Sequence, residues 1–518
     1  MGLVEPDLGA AVSRPPPGAS GDGADGAPTG ADAARTNVLL ITADQLRFDC
    51  LGAYGNPVIA TPSLDALAAA GVSFDAAYTP ATICVPARQS ILTGQAPSAH
   101  GAMSVRSAIP ESRDTLVKRL RAEGYRTAGF GKMHFWPVYA DFGLDHLELA
   151  EQDGPGWQID DYHARYLAER GLSDRWDLWD QQEAYRREAP PAYWDGYGAT
   201  VSELPEEHYH TSWIADRTIA WLESLTGDEP FFAWTSFIKP HHPFDPPRPY
   251  DDLYAPEEVP LPPRDELWRA KPLLAALGDP RRGYFDARAM TEAQLRRVVA
   301  LYYGLVTHID HHVGRILDAL DRLGLAERTT VIFTSDHGDY LGQYGLFLKH
   351  PNLPYDALAR VPLIVRSPST PAEGRGARSP APVSLMDLLP TALAANGVAL
   401  PDYVQGRPFG DLLADPTRTR EDPVFIETGP YRAVRSARFK YLHAGGGTVG
   451  GDGGGRTGAP RGELYDVLDD PYETRDLGAE LPGVAEEHRR LLLDWAIACA
   501  WDRYRHETWE LDEGREPA

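Results

Sequence analysis

Cysteine is scarce in this 518-residue chain, which has 3: Cys50, Cys84 and Cys499. They are too few and too scattered for a disulfide framework or a cysteine-based zinc site. Long apolar runs are missing as well. None approaches the roughly 18 residues needed to cross a bilayer, so no membrane partner is expected. Positive charge is in deficit: Lys+Arg 50 against Asp+Glu 75 gives a formal net charge of −25. That balance argues against nucleic acid as a partner, because phosphates require a basic face. The opening stretch, MGLVEPDLGAAVSRPPPGASGDGADGAPTGADAARTN, lacks a basic start followed by an apolar segment, so no secretory signal is expected. Its Gly, Ala, Pro and Asp content reads as a disordered leader through about Arg35. These absences together predict a cytoplasmic enzyme.

What is present suffices for a large core, with 43% hydrophobic and 10% aromatic residues. TNVLLITADQ (36–45) is an apolar, β-branched run of the kind expected for a strand buried on both faces. TPSLDALAAAGVSF (61–74) predicts a helix with Thr61 as N-cap, Pro62 at its first position and Gly71 as its stop. SRDTLVKRLRAEGYRTAGFGKMH (112–134) reads as helix, glycine turn and strand, the strand running into Lys132 and His134. PFFAWTSFIKPHHPF (230–244), TTVIFTSDHGD (329–339) and VPLIVRSP (361–368) supply further strands, and VSLMDLLPTALAANG (383–397) a helix. The alternation predicts an α/β fold around a large, mainly parallel sheet flanked by helices. Ligands of such sheets bind at the carboxyl ends of the strands. Four strands run there into Asp44, Lys132/His134, His241 and Asp336/His337.

From about Glu421 the pattern shifts. AVRSARFKYLHAG (433–445) and GELYDVLDDP (462–471) predict strands of a small antiparallel sheet, separated by the flexible stretch GGGTVGGDGGGRTG. A last helix is expected around 484–500, with Cys499 on its packing face. The expected organisation is a leader (1–35), a catalytic domain (36–420) and a C-terminal α+β subdomain (421–518). Within the catalytic domain, 150–290 is expected to carry the insertions that set specificity. HIDHH (308–312) places His308, His311 and His312 on one helical face, a spacing that can mimic a metal site. It lies in an amphipathic stretch and is read as packing instead.

Cys84 stands in ATICVPARQSILTG (81–94). Alone, a single cysteine reads as a packed residue. A helix opening there would stabilise an anion, and Arg88 one turn on would add a full charge. A nucleophile or an anionic ligand is therefore an alternative. A lone aspartate after a strand is ordinarily a cap, but Asp44, Asp336 and His337 on neighbouring strand ends would form an oxygen-rich pocket for a hard divalent cation.

Taken together, Cys84-Val85-Pro86-Ala87-Arg88 with Leu92-Thr93-Gly94 resembles the signature of formylglycine-dependent sulfatases, C-x-P-x-R with a downstream T-G, in the alkaline phosphatase superfamily. ITADQ, GKMH, KPHHPF and SDHGDYLGQYGLFLKH match that family's other motifs in order, over roughly residues 36–480. The resemblance implies that a maturation enzyme oxidises Cys84 to formylglycine, an aldehyde that hydrates to a geminal diol. It implies that Asp44, Asp336, His337 and the modified Cys84 ligate one divalent cation, and the amide oxygen of Gln45 can join them. Calcium is the usual ion, with manganese or magnesium open because a histidine ligand is softer. It further implies catalytic roles for Cys84, Arg88, Lys132, His134, His241 and Lys349. His241 stands beside the leaving-group oxygen, with His242 as the alternative.

Gln45 departs from the family, where a second aspartate is common. Asp-Gln also occurs in phosphonate monoester hydrolases of the same superfamily, whereas Gly131-Lys132-Met133-His134 follows the sulfatase form. The expected activity is hydrolysis of a small-molecule or carbohydrate sulfate ester. The alternatives are a phosphonate monoester or phosphodiester hydrolase on the same scaffold, and a non-catalytic metal-binding protein with Cys84 unmodified.

Overall fold

The structure, a computed structural model, describes residues 35–151, 161–172, 189, 191–264, 267–445 and 461–507. The predicted leader through residue 34 and the glycine-rich stretch from residue 446 lie outside the described residues.

The strands that build the body are β1 (Asn37–Asp44), β2 (Val72–Phe74), β3 (Ala77–Tyr78), β4 (Arg126–Gly131) and β5 (His146–Leu149). They continue with β6 (Phe231–Pro240), β7 (Thr329–Ser335), β8 (Leu363–Arg366), β9 (Ala377–Ser379) and β10 (Val383–Ser384). Eight of them form one sheet in the order β5-β4-β6-β1-β7-β8-β2-β9, and β10 pairs with β3 separately. The pairs from β5 through β7 are all parallel, whereas β8 runs antiparallel to both β7 and β2. All of β1 is buried, as its unbroken apolar run predicts. Leu39, Ile41 and Ala43 face a core built on the long helix Glu292–Arg322, while Val38 and Leu40 face the helix Leu388–Ala395. This alternation across the sheet carries Asp44 to the end of the central strand.

Local chemistry sets the helix ends. A capping box between Thr291 and Gln294 opens Glu292–Arg322. Thr61 precedes the helix Pro62–Ala70, but its hydroxyl bonds Gly52 N and Asp65 rather than capping the turn. The helix His210–Glu223 packs on β6 and Glu292–Arg322.

Two strand expectations change. Lys132 and His134 lie beyond β4, because Gly131 turns the chain at φ +89. The expected strand 433–445 is a hairpin of β12 (Tyr431–Arg435) and β13 (Phe439–Ala444), its turn closed by Ser436 Oγ donating to Phe439 O at 3.1 Å. With β11 (Val424–Thr428) and β14 (Arg461–Asp466) they form a four-stranded antiparallel sheet in sequential order. β14 ends where the Asp466 carboxylate accepts the backbone N–H groups of Leu468 and Asp469.

One face of this sheet, through Ile426, Ala433 and Leu442, packs on Tyr340, Tyr344 and Tyr355 of the body. The other takes the helix Pro482–Glu507, with Phe425 stacked on Trp495 at 4.7 Å. Cys499 is fully buried on that helix. Among the described residues no helix is long and apolar enough to cross a membrane.

Candidate active site

β4, β6, β1 and β7 are four adjacent parallel strands, and the ten residues singled out from the sequence gather beyond their carboxyl ends. Asp44 ends β1. Its Oδ2 lies 2.7 Å from Lys132 Nζ and 3.7 Å from Arg88 Nη2, and its Oδ1 lies 3.6 Å from His337 Nε2. Burial would push the Asp44 carboxyl up. Lys132 foremost, with His241, Lys349 and Arg88, outweighs burial and holds it well below the usual carboxylate range.

The helix Cys84–Thr93 begins at Cys84, which is 2% exposed. The side chains of His134 and His337 lie within hydrogen-bonding range of the thiol. Burial would raise its pKa, yet Lys349 first and His134 next hold it well below the ordinary thiol value. Residue 84 thus occupies a pocket that favours an anion. Arg88, one turn along, is wholly buried and serves as a clamp. Its Nε donates to Asp336 Oδ2 at 2.9 Å, and its Nη1 to Lys132 O at 2.5 Å and Ser236 Oγ at 2.7 Å. One guanidinium therefore ties the ends of β1, β4 and β7 to the interior of β6.

Asp44, Asp336 and His337 offer ligand atoms within 4.8 Å of one another. His337 Nδ1 lies 2.9 Å from the Gly338 carbonyl and donates to it, which leaves Nε2 with its lone pair toward the carboxylates. Burial would lower the His337 pKa, but Asp336 beside it raises it instead, so the field at Nε2 attracts a cation. Gln45, at φ 70, donates from Nε2 to Asp339 at 2.5 Å and from its backbone N to Asp336 at 3.1 Å. Asp44 Oδ1 and Gln45 Oε1 are buried acceptors without a hydrogen-bond partner. Such atoms are costly unless something electropositive meets them, and the donor set fits one divalent cation.

On the opposite side, Lys349 Nζ lies 3.0 Å from His241 Nε2, while His241 Nδ1 donates to His242 O at 2.8 Å. Burial foremost, with Lys349 second, holds His241 well below its ordinary pKa. With Nδ1 donating to the backbone, His241 Nε2 is left to accept from Lys349 Nζ, and the two groups form one hydrogen-bonded pair. His242 stacks on His241 at 4.4 Å and meets Tyr284 at 5.1 Å, with Trp194 a further 5.6 Å from Tyr284.

Several supporting groups have no sequence signature. Ser236 lies inside a buried strand and holds Arg88. Glu151 Oε1 accepts the backbone N–H groups of Met133 and His134 at 2.7 and 2.9 Å, fixing the turn that carries Lys132 and His134. Asp339, which orients Gln45, was readable in SDHGDY but has no metal-ligand spacing of its own.

An acidic cluster ringed by fixed cationic side chains, at the carboxyl ends of parallel strands, defines the class: an α/β enzyme for anionic esters. The chain belongs to the sulfatase family, whose pattern it matches over residues 36–398. It is 32% identical over 416 residues to an arylsulfatase of Clostridium perfringens, covering 76% of this chain and 81% of that one. It is 30% identical over 418 residues to the multifunctional alkaline phosphatase superfamily protein PehA of Trinickia caryophylli, covering 74% and 77%. The crystal structure of the phosphonate monoester hydrolase of Agrobacterium radiobacter superposes with a TM-score of 0.71 at 25% identity, covering 93% of this chain and 100% of that one.

Proposed function

We propose that the protein is a sulfuric ester hydrolase of the arylsulfatase kind. It cleaves a sulfate monoester to an alcohol or phenol and inorganic sulfate, with formylglycine made from Cys84 and one divalent cation. The observation that carries this reading is the position of residue 84. It opens a buried helix, faces Lys349, His134 and His337, and adjoins the group of unpartnered acceptors. Asp44, Gln45, Asp336, His337 and the residue 84 side chain would hold the cation, calcium first, with manganese or magnesium as alternatives. When bound, the cation withdraws charge from the ester and from the nucleophile. Formylglycine, when formed, supplies two hydroxyl groups at one carbon, one to attack and one through which the carbonyl returns.

The remaining work falls to side chains already in place. Lys132 and Lys349 meet the negative charge that develops on the sulfuryl oxygens, and Arg88 keeps Asp44, Asp336 and Lys132 from shifting as it does so. The Lys349–His241 pair holds a proton where the ester oxygen departs, and delivers it to that oxygen. His134, anchored through Glu151, stands beside residue 84 to receive a proton from it. At 2% exposure Cys84 is out of reach of a second enzyme in the folded protein. The maturation enzyme therefore acts before the site closes. Trp194, Tyr284 and His242 border the leaving-group side, so we assign specificity to the 150–290 region and expect a ring-bearing leaving group to gain from it.

A second reading, hydrolysis of phosphonate monoesters or phosphodiesters, is favoured by Gln45 and by the superposition on a phosphonate monoester hydrolase. Parallel turnover of 4-nitrophenyl sulfate and an aryl phosphonate monoester separates the two. Higher kcat/KM for the sulfate is expected; negligible sulfate turnover by active protein would overturn the assignment.

A further inference from the structure

A second group of side chains converges on the helix Glu292–Arg322, in residues that the mechanism does not use. His308 and His312 lie one turn apart and are 0% and 1% exposed, while His311 turns to solvent. Their Nε2 atoms are 3.0 Å apart. Glu206, from the short turn Glu206–His208, brings Oε1 to 2.9 Å from each of them. Ser212 Oγ completes the group at 3.0 Å from His312 Nε2, 3.3 Å from His308 Nε2 and 2.9 Å from Glu206 Oε1. The Ser212 hydroxyl donates its proton to the Glu206 carbonyl at 2.6 Å, so its lone pairs face the imidazoles.

Four potential ligand atoms thus stand at the corners of a tetrahedron with edges of 2.9–3.3 Å. Tetrahedral zinc, with bonds of about 2.0–2.1 Å, sets ligand-to-ligand edges of about 3.3–3.4 Å. Outward movement by a few tenths of an ångström would seat the ion. Two imidazoles with one carboxylate select a transition ion over calcium or magnesium. Glu206 is 31% exposed and lines a surface cavity of about 520 Å³ with Ser202, Glu203, Leu204 and Arg248, which gives the ion a path in.

We propose that Glu206, His308 and His312 form a second metal site, binding a divalent transition ion such as Zn²⁺ with Ser212 or solvent as fourth ligand. The ion ties the Glu206–His208 turn and the helix His210–Glu223 to Glu292–Arg322. Its role is structural, and it is independent of the chemistry at residue 84. Arg315 Nη1 donates to His312 Nδ1 at 3.0 Å, which fixes the ring proton on Nε2. Metal binding at Nε2 requires that proton to move to Nδ1, so the Arg315–His312 hydrogen bond breaks and Arg315 retains Asp216, to which it already pairs at 2.7 Å. Because the hydrogen bond to His312 has to break, affinity in the micromolar range is expected.

The test is equilibrium dialysis of full-length, chelator-treated protein against micromolar Zn²⁺, with the metal counted per chain. Wild type is expected to hold one more ion than either Glu206→Gln or His312→Gln. Aryl sulfate turnover by the variants shows that they are folded, since neither residue touches the reaction. Zn²⁺ is also expected to raise the Tm of wild type by more than that of Glu206→Gln, which keeps only the site at residue 84. Equal counts in wild type and a folded variant overturn the site, as does an identical Tm response.

Discussion

Arg88 reaches Asp336, Asp44, Lys132 and Ser236 with one planar group, so its shape matters as much as its charge. Arg88→Lys keeps the charge and loses the fork. We expect a fall in kcat of about 10²–10³ with little change in Tm, measured with a 4-nitrophenyl sulfate. Lys349 carries the proton that faces His241 Nε2. Lys349→Ala should lower turnover of alkyl sulfates by about 10²–10⁴, and that of activated aryl sulfates much less, because a good leaving group needs little protonation. Equal losses across leaving groups would remove the pair from the acid role. Cys84→Ser offers one hydroxyl where the reaction needs two. A rapid-mix assay should show at most one phenol released per chain, followed by a stall.

The element scale shows what the sequence could and could not reveal. Asp44, Asp336 and His337 are legible because buried parallel strands read as largely apolar runs, and the first acidic residue after each run marks its carboxyl end. Residues that act from within an element leave no such mark. Ser236 occupies an ordinary place in β6, and Glu206 reaches His308 and His312 from a turn about a hundred positions away. The packing expected of the HIDHH face holds for His308 and His312, which are buried, but the polar partner they meet is invisible in that run. TAGFGKMH reads as one strand running into Lys132 and His134, whereas the chain turns at Gly131, before both. A Cβ on residue 131 would strike the Ser236 carbonyl at a left-handed φ. Gly131→Ala is expected to cost about 2–4 kcal/mol in denaturant unfolding and to reduce activity further by displacing Lys132.

At the scale of the whole molecule, the antiparallel sheet is joined to the body by buried charge as well as by apolar packing. Lys440 of β13 pairs with Asp356 at 2.6 Å and with Glu473 at 2.9 Å, and none of the three side chains is more than 2% exposed. Burial would lower the Lys440 pKa, but Asp356 and Glu473 raise it. Lys440→Ala would strand two carboxylates, and we expect a loss of about 3–5 kcal/mol in equilibrium unfolding.

Acid should also destabilise the fold through buried histidines. Burial lowers the pKa of His100 to about 3 and of His163 to about 4. The unfolded chain takes up these protons near pH 6.5, whereas the folded chain resists them until pH 3–4. Between those limits the unfolded state binds more protons, so stability falls as pH falls, by about 1.4 kcal/mol per pH unit for each histidine. Tm measured from pH 7 to pH 4 should drop progressively. A flat profile would show that these rings are not held neutral.

The chemistry turns on one side chain at the start of a buried helix. Mass spectrometry of the peptide containing residue 84, taken from protein that turns over an aryl sulfate, reads its state. The expected mass is that of formylglycine or its hydrate in place of cysteine. Full sulfate turnover by protein whose residue 84 is entirely unmodified cysteine would contradict that chemistry.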